Sequence, residues 1–106
     1  MRAFWMDRGT EIDAGVAAYR RHPGAMLLDV RTGEEYRDGH IPGSVNLPLM
    51  ALDNADEIID NVDVPLYVYC RSGLRSRQAA QVLGAMGYTN VTNIGGIAGY
   101  SGKVEM

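Results

Sequence analysis

The sequence is short of the residues that staple or anchor a chain. A single cysteine, Cys70, rules out an intramolecular disulfide and any Cys-x-x-Cys pair, and it leaves a structural zinc cluster without ligands. Two histidines, His22 and His40, lack the carboxylate or thiol spacing of a metal site, so no metal and no cofactor is expected. Positive charge is also scarce. A formal charge of −3 and a pI near 5.2 argue against nucleic acid as a partner, because phosphate-tracking proteins need a basic surface to release counterions. The N-terminal stretch MRAFWMDRGTEIDAG holds no apolar run of signal-peptide length, and no run elsewhere approaches a membrane span; the expectation is a cytoplasmic protein with no membrane partner. Repeats, low-complexity tracts and linkers are missing as well, so residues 1–106 read as one domain.

What is there alternates between two periodicities. Ile12, Val16 and Tyr19, with Ala17 and Ala18, share one helical face over Glu11–Arg21, and Pro23-Gly24 ends it. The unalternating apolar run Ala25–Val30 suits a strand covered on both faces. Thr32 and Glu35 have capping-box spacing for a short helix that Gly39 would end, and His40-Ile41-Pro42-Gly43 forces a turn before a strand at Ser44–Leu47. A partly exposed helix is expected over Ala55–Val62. Pro65–Tyr69 is the strongest strand signal, and Arg75–Met86 reads as a helix with Ala79, Val82, Leu83 and Met86 inward. Val91–Ile94 supplies a last strand. Met26, Met50 and Met86 are expected to fill core gaps. Strands alternating with helices predict an α/β fold with a parallel sheet of about four or five strands, helices flanking both faces.

Cys70 falls at the carboxyl end of the strongest strand, where open α/β sheets bind ligands and helix N-termini present free NH groups. A loop that passes from strand to helix within a few residues can curl its amides around an anion, and the helix dipole adds positive potential there. Both effects favour a thiolate. Arg71, Arg75 and Arg77 gather three of the ten basic residues at this one loop of an acidic chain, surroundings that lower a cysteine pKa. Arg77 also suits a solvated helix face. Gly73 turns the chain and leaves room for NH groups to wrap a sulfur. The glycines of Gly95-Gly96-x-x-Gly99 permit a tight return and are not a dinucleotide fingerprint, since few residues follow them.

The run Tyr69-Cys70-Arg71-Ser72-Gly73-Leu74-Arg75-Ser76 resembles the active-site loop of rhodanese-type sulfurtransferases. Leu28-Asp29-Val30-Arg31, Glu35-Tyr36, Gly39–Ser44 and Asn46 resemble that family's other signature, and GAMGYTNVTNIGG over 84–96 is similar to the segment after its catalytic helix. The likeness runs from the first helix to the tail. It implies a rhodanese-like three-layer sandwich and a persulfide cycle with Cys70 as nucleophile. Thiosulfate or another persulfide donor would supply the sulfur, and cyanide, a thiol or a protein would accept it. The loop from Arg71 through Ser72, Gly73, Leu74 and Arg75 to Ser76 would bind the anionic groups, with Asp29 and Arg31 supporting the site or forming a local ion pair that closes the sheet end. A sulfur-relay or regulatory module working with a protein partner is the alternative. Cysteine phosphatases resemble the same constellation but place arginine six positions after the cysteine, where this chain has Ser76; the shorter loop argues against phosphatase or arsenate reductase chemistry. His40 is expected to fix the turn rather than act as a base. Tyr100 stands where the family often has tryptophan.

Overall fold

Four short runs become strands, the two interior ones with apolar side chains on both faces of the sheet. In a computed structural model that describes residues 8–106, with side chains from Glu11 onward, these are β1 (Met26–Asp29), β2 (Ser44–Asn46), β3 (Leu66–Cys70) and β4 (Val91–Gly96). They form one all-parallel sheet in the order β2-β1-β3-β4. Successive side chains alternate between faces. Leu28, Leu66, Val68 and Cys70 enter one core with Ala79 and Leu83, while Leu27 and Tyr69 enter the other with Ile12, Val16 and Ile94. A sheet buried on both faces explains the unbroken apolar runs.

Helix α1 (Arg8–Arg20) covers the second face, with Ile12 and Val16 buried as the helical spacing predicts. Gly15 is the point of closest approach: a Cβ there would overlap the Ile94 side chain. Helix α3 (Leu74–Ala85) and a 3₁₀ segment, Leu49–Glu57, cover the first face. Helix α2 (Gly33–Asp38) has the expected capping box between Thr32 and Glu35 and ends at Gly39. The tail returns across the molecule, and the backbone of Glu105 pairs with that of His40 through two 2.8 Å hydrogen bonds.

The expected helix over Ala55–Val62 is not formed. The chain turns in 3₁₀ geometry over Leu49–Glu57, interrupted at Ala51, because Leu52 and Ala55 reach the core at the three-residue spacing that such a turn aligns. Ile59 is buried beyond its end and Ile58 is not. Two of the methionines expected in the core also lie outside it. The Leu49 amide is held by the Val30 carbonyl at 3.1 Å, and its neighbour Met50 is 93% exposed. Val82 and Met86 likewise face solvent in part, leaving Ala79 and Leu83 as the buried apolar positions of α3; Met26 packs against the core as expected. No helix among the described residues is long and apolar enough to cross a membrane.

Candidate active site

Helix α3 starts without a side-chain cap, although a helix N-terminus leaves amides that need acceptors. Cys70 supplies one. It ends β3 with only 1% of its surface exposed, and Gly73, at φ 102°, turns the chain so that its own amide donates to Sγ at 3.0 Å. That φ is a left-handed conformation that glycine adopts without strain. Burial pushes the Cys70 thiol up, but the Ser76 hydroxyl and the amides of Ser76, Gly73 and Ser72 outweigh it, and the net direction is down. Hydrogen bonds are the larger causes of this lowering, and the charge of Arg75 acts on the sulfur in the same direction. Of these amides, that of Ser76, three positions past Gly73, is one that a capping side chain would hold.

The loop is pinned to β4. The Arg71 carbonyl accepts the Ala98 amide at 3.1 Å, and it passes so close to Gly96 that any Cβ there would overlap it. Ser76 is fully buried, its Oγ 2.7 Å from Asn93 Oδ1 and 3.1 Å from the Gly73 carbonyl. Asn93 Oδ1 also accepts the Gly95 amide at 3.0 Å, beside an irregularity in the β3–β4 register.

Two ion pairs flank this loop. Asp29, fully buried, receives the Arg31 backbone amide at 2.9 Å and the guanidinium at 2.7 to 3.1 Å, while the same guanidinium donates to the Gly39 carbonyl at 2.6 Å. Asp29 and Arg31 thus form the local ion pair expected at this sheet end. Arg75 makes a two-pronged bond to Glu35 at 2.7 and 2.9 Å, tying α3 to α2. That guanidinium pulls the Glu35 carboxyl down to about 2, against a smaller opposing effect of burial. Tyr69, the neighbour of Cys70 in β3, accepts the Ile41 amide at 3.0 Å and donates to Ser44 Oγ at 3.2 Å, and burial holds its phenol well above the usual range. His40 stacks on Tyr36 with ring centroids 3.7 Å apart and its Nδ1 is 2.8 Å from the Tyr36 carbonyl, as its expected turn-fixing part requires.

The structure therefore gathers Cys70, Ser72, Gly73 and Ser76 around the sulfur and sends Arg75 to Glu35. Arg71 and Leu74 are exposed, and both border a cleft of about 510 Å³. Arg77 lines that cleft too, with Glu11, Asn93, Gly96 and Gly99; Cys70 is not part of its wall. Glu35, Asn93 and Gly96 are the neighbours that site reasoning from the loop alone passes over. Their only sequence signals are the second signature and the glycine pair that follows Asn93.

Comparisons with known proteins bear on the family. The chain is 40% identical over 90 residues to the uncharacterized protein YqhL of Bacillus subtilis, covering 84% of this chain and 68% of that one. It is 40% identical over 72 residues to the thiosulfate sulfurtransferase PspE of Escherichia coli, covering 66% of this chain and 68% of the relative. A solved structure described as rhodanese with anions from E. coli superposes with a TM-score of 0.71 at 32% identity, over 76% of this chain and 96% of that one. Residues 13–103 match the rhodanese-like domain family. With an all-parallel sheet, a cysteine at the end of its central strand and a match over most of its length, the chain belongs to the rhodanese-like domain family.

Proposed function

We propose that this protein is a sulfurtransferase that carries a sulfane sulfur on Cys70, taking it from an anionic donor such as thiosulfate and passing it to cyanide, a thiol or a protein acceptor. In the first half, the Cys70 thiolate attacks the outer sulfur of thiosulfate; a Cys70 S–S bond forms, the donor S–S bond breaks, and sulfite leaves with the electron pair. In the second half, the acceptor attacks the terminal sulfur, and the electron pair of the broken bond returns to Cys70 as thiolate. No proton has to move in either half when the attacking groups are already anionic, so the site needs stabilised charge more than a general base.

The observation that carries this reading is the set of hydrogen-bond donors around Sγ, which outweighs burial and favours the thiolate. A terminal persulfide carries its charge one bond further out, and a curled loop of amides is suited to holding an anion at either place. Arg71, exposed beside the loop, and Arg75, held by Glu35, would add positive potential for donor and persulfide. Asp29 and Arg31 would act at a distance, by fixing the end of β1 and the turn at Gly39. The sulfurtransferase name of PspE supports the same choice of donor.

Steady-state thiocyanate formation from thiosulfate and cyanide tests the proposal. Parallel double-reciprocal lines in the wild type and no turnover in Cys70→Ser are expected; undiminished turnover in Cys70→Ser would overturn it.

A further inference from the structure

The cleft beside the sulfur loop is lined with charge of both signs. Its floor is main chain, since Gly95, Gly96, Ala98 and Gly99 have almost no side chain to fill it. Glu11 comes from α1, Arg71 from the loop and Arg77 from α3; all three are exposed, and no ion pair joins Glu11 to either arginine. The Glu11 carboxylate lies close to the floor, for a Cβ at Gly95 would meet its Oε1 at 3.5 Å. One carboxylate and two guanidiniums select what binds between them. A dianion such as thiosulfate gains from the arginines and loses to Glu11, whereas a molecule with an ammonium at one end and a carboxylate at the other satisfies both signs. At about 510 Å³ the space suits a ligand of a few amino-acid residues.

The cleft and the sulfur share a wall. Ser72 and Gly73 line the cleft, and the Gly73 amide also donates to Cys70 Sγ at 3.0 Å, so the same backbone bounds both. A persulfide places its outer sulfur about 2 Å beyond Sγ. We propose that this cleft seats the acceptor of the Cys70 sulfur, and that the acceptor is a short peptide thiol with free amino and carboxyl ends. The ammonium meets Glu11, the carboxylate meets Arg77, and Arg71, next to Cys70 in the chain, favours the thiolate, so the charges of ligand and lining match one for one. That thiolate attacks the outer sulfur; a new S–S bond forms on the peptide, the Cys70 S–S bond breaks, its electron pair returns to Cys70, and the peptide leaves as a persulfide. The inference rests on the sulfurtransferase reading and names its acceptor.

The experiment compares Gly-Cys-Gly with its N-acetyl and C-amide forms as acceptors of sulfur from thiosulfate, read as sulfite release, in the wild type, Glu11→Gln and Arg77→Gln. Rates are expressed per thiolate, since the end charges also shift the peptide's own ionisation. In the wild type, acetylation and amidation are each expected to lower kcat/KM about two- to fivefold, the size of one exposed charge contact. Glu11→Gln should erase the penalty for acetylation and keep that for amidation, and Arg77→Gln should do the reverse. Amide shifts of Gly95 and Gly99 on titration with Gly-Ser-Gly follow binding without sulfur transfer. Equal kcat/KM for the three peptides in the wild type, penalties that survive in both variants, or no shift at Gly95 and Gly99 would overturn the inference. Thiocyanate formed from cyanide by the same wild-type protein upholds the sulfurtransferase reading whichever way the peptides behave. Its absence fails that reading, while the Gly-Ser-Gly shifts still test the cleft.

Discussion

Strands β1 and β3 lie side by side, Asp29 opposite Tyr69, and each ends on a buried acidic group held in its own way. At the end of β1, the Asp29 carboxylate is fully buried and met by a guanidinium and an amide of Arg31. At the end of β3, Cys70 is equally enclosed, and its sulfur is met by amides and a hydroxyl. An opposite charge neutralises; the result is a rigid corner with nothing left to react. Fixed dipoles favour the anion without cancelling it, which is what the proposed nucleophile requires. On the proposed function, the difference separates an acidic group held for structure from one held for chemistry.

Removing the reacting group should give the largest effect and the cleanest contrast. Cys70→Ala is expected to lower thiocyanate formation by about a thousandfold or more while moving the melting temperature little, because the side chain it replaces is small and the amides it strands lie at a helix start. The opposite pattern belongs to β1. Arg31→Met strands the buried Asp29 carboxylate and should cost about 3–5 kcal/mol in urea unfolding, with much of the loss recovered when Asp29→Asn is added. If the single and double variants were equally unstable, Asp29 would not be the group that suffers.

A third change tests the contact between loop and sheet. Gly96→Ala pushes a methyl against the Arg71 carbonyl, so the amide cradle must shift. Displacement of this kind costs about a hundredfold in rate, and kcat should fall by that order with the circular dichroism unchanged. The smallest effect is expected at the half-exposed Glu35–Arg75 pair. Glu35→Gln should cost less than about 1 kcal/mol at neutral pH. Because the folded carboxyl is depressed to about 2, the pair contributes stability above the ordinary carboxylate range and loses it as pH falls from there toward about 2. Acid unfolding curves of the wild type and Glu35→Gln should therefore converge at low pH.

The sheet, its parallel sense and the sulfur's place in it were legible because each depends on local sequence. Pro65–Tyr69 reads as a strand and Arg75–Met86 as a helix with Gly73 in the turn between them, and the observed elements, Leu66–Cys70 and Leu74–Ala85, differ by one residue at each end. The capping box at Thr32 and Glu35 was legible for the same reason. What escaped depends on contacts distant in the chain. Glu35 and Arg75 are 40 residues apart, so an arginine beside the cysteine looks free until α2 is placed next to α3. Asn93 reaches Ser76 across 17 residues, through a bend in β4 that no periodicity announces. The misplaced helix at Ala55–Val62 has a different cause. Ala55, Ile58 and Ile59 have helical spacing, but the neighbouring surface accepts only Ala55 and Ile59, together with Leu52 from the preceding turn. Spacing specifies which residues can share a face, and packing decides which of them do.

The central claim is that Cys70 carries sulfur as a persulfide, and intact mass spectrometry tests it most directly. Wild type and Cys70→Ser are incubated with thiosulfate, weighed, then chased with cyanide while thiocyanate is measured. The account predicts a gain of one sulfur atom in the wild type alone, lost to cyanide with an equal yield of thiocyanate. A sulfur gain of the same size in Cys70→Ser, or thiocyanate formed by a wild type that never gains mass, would contradict it.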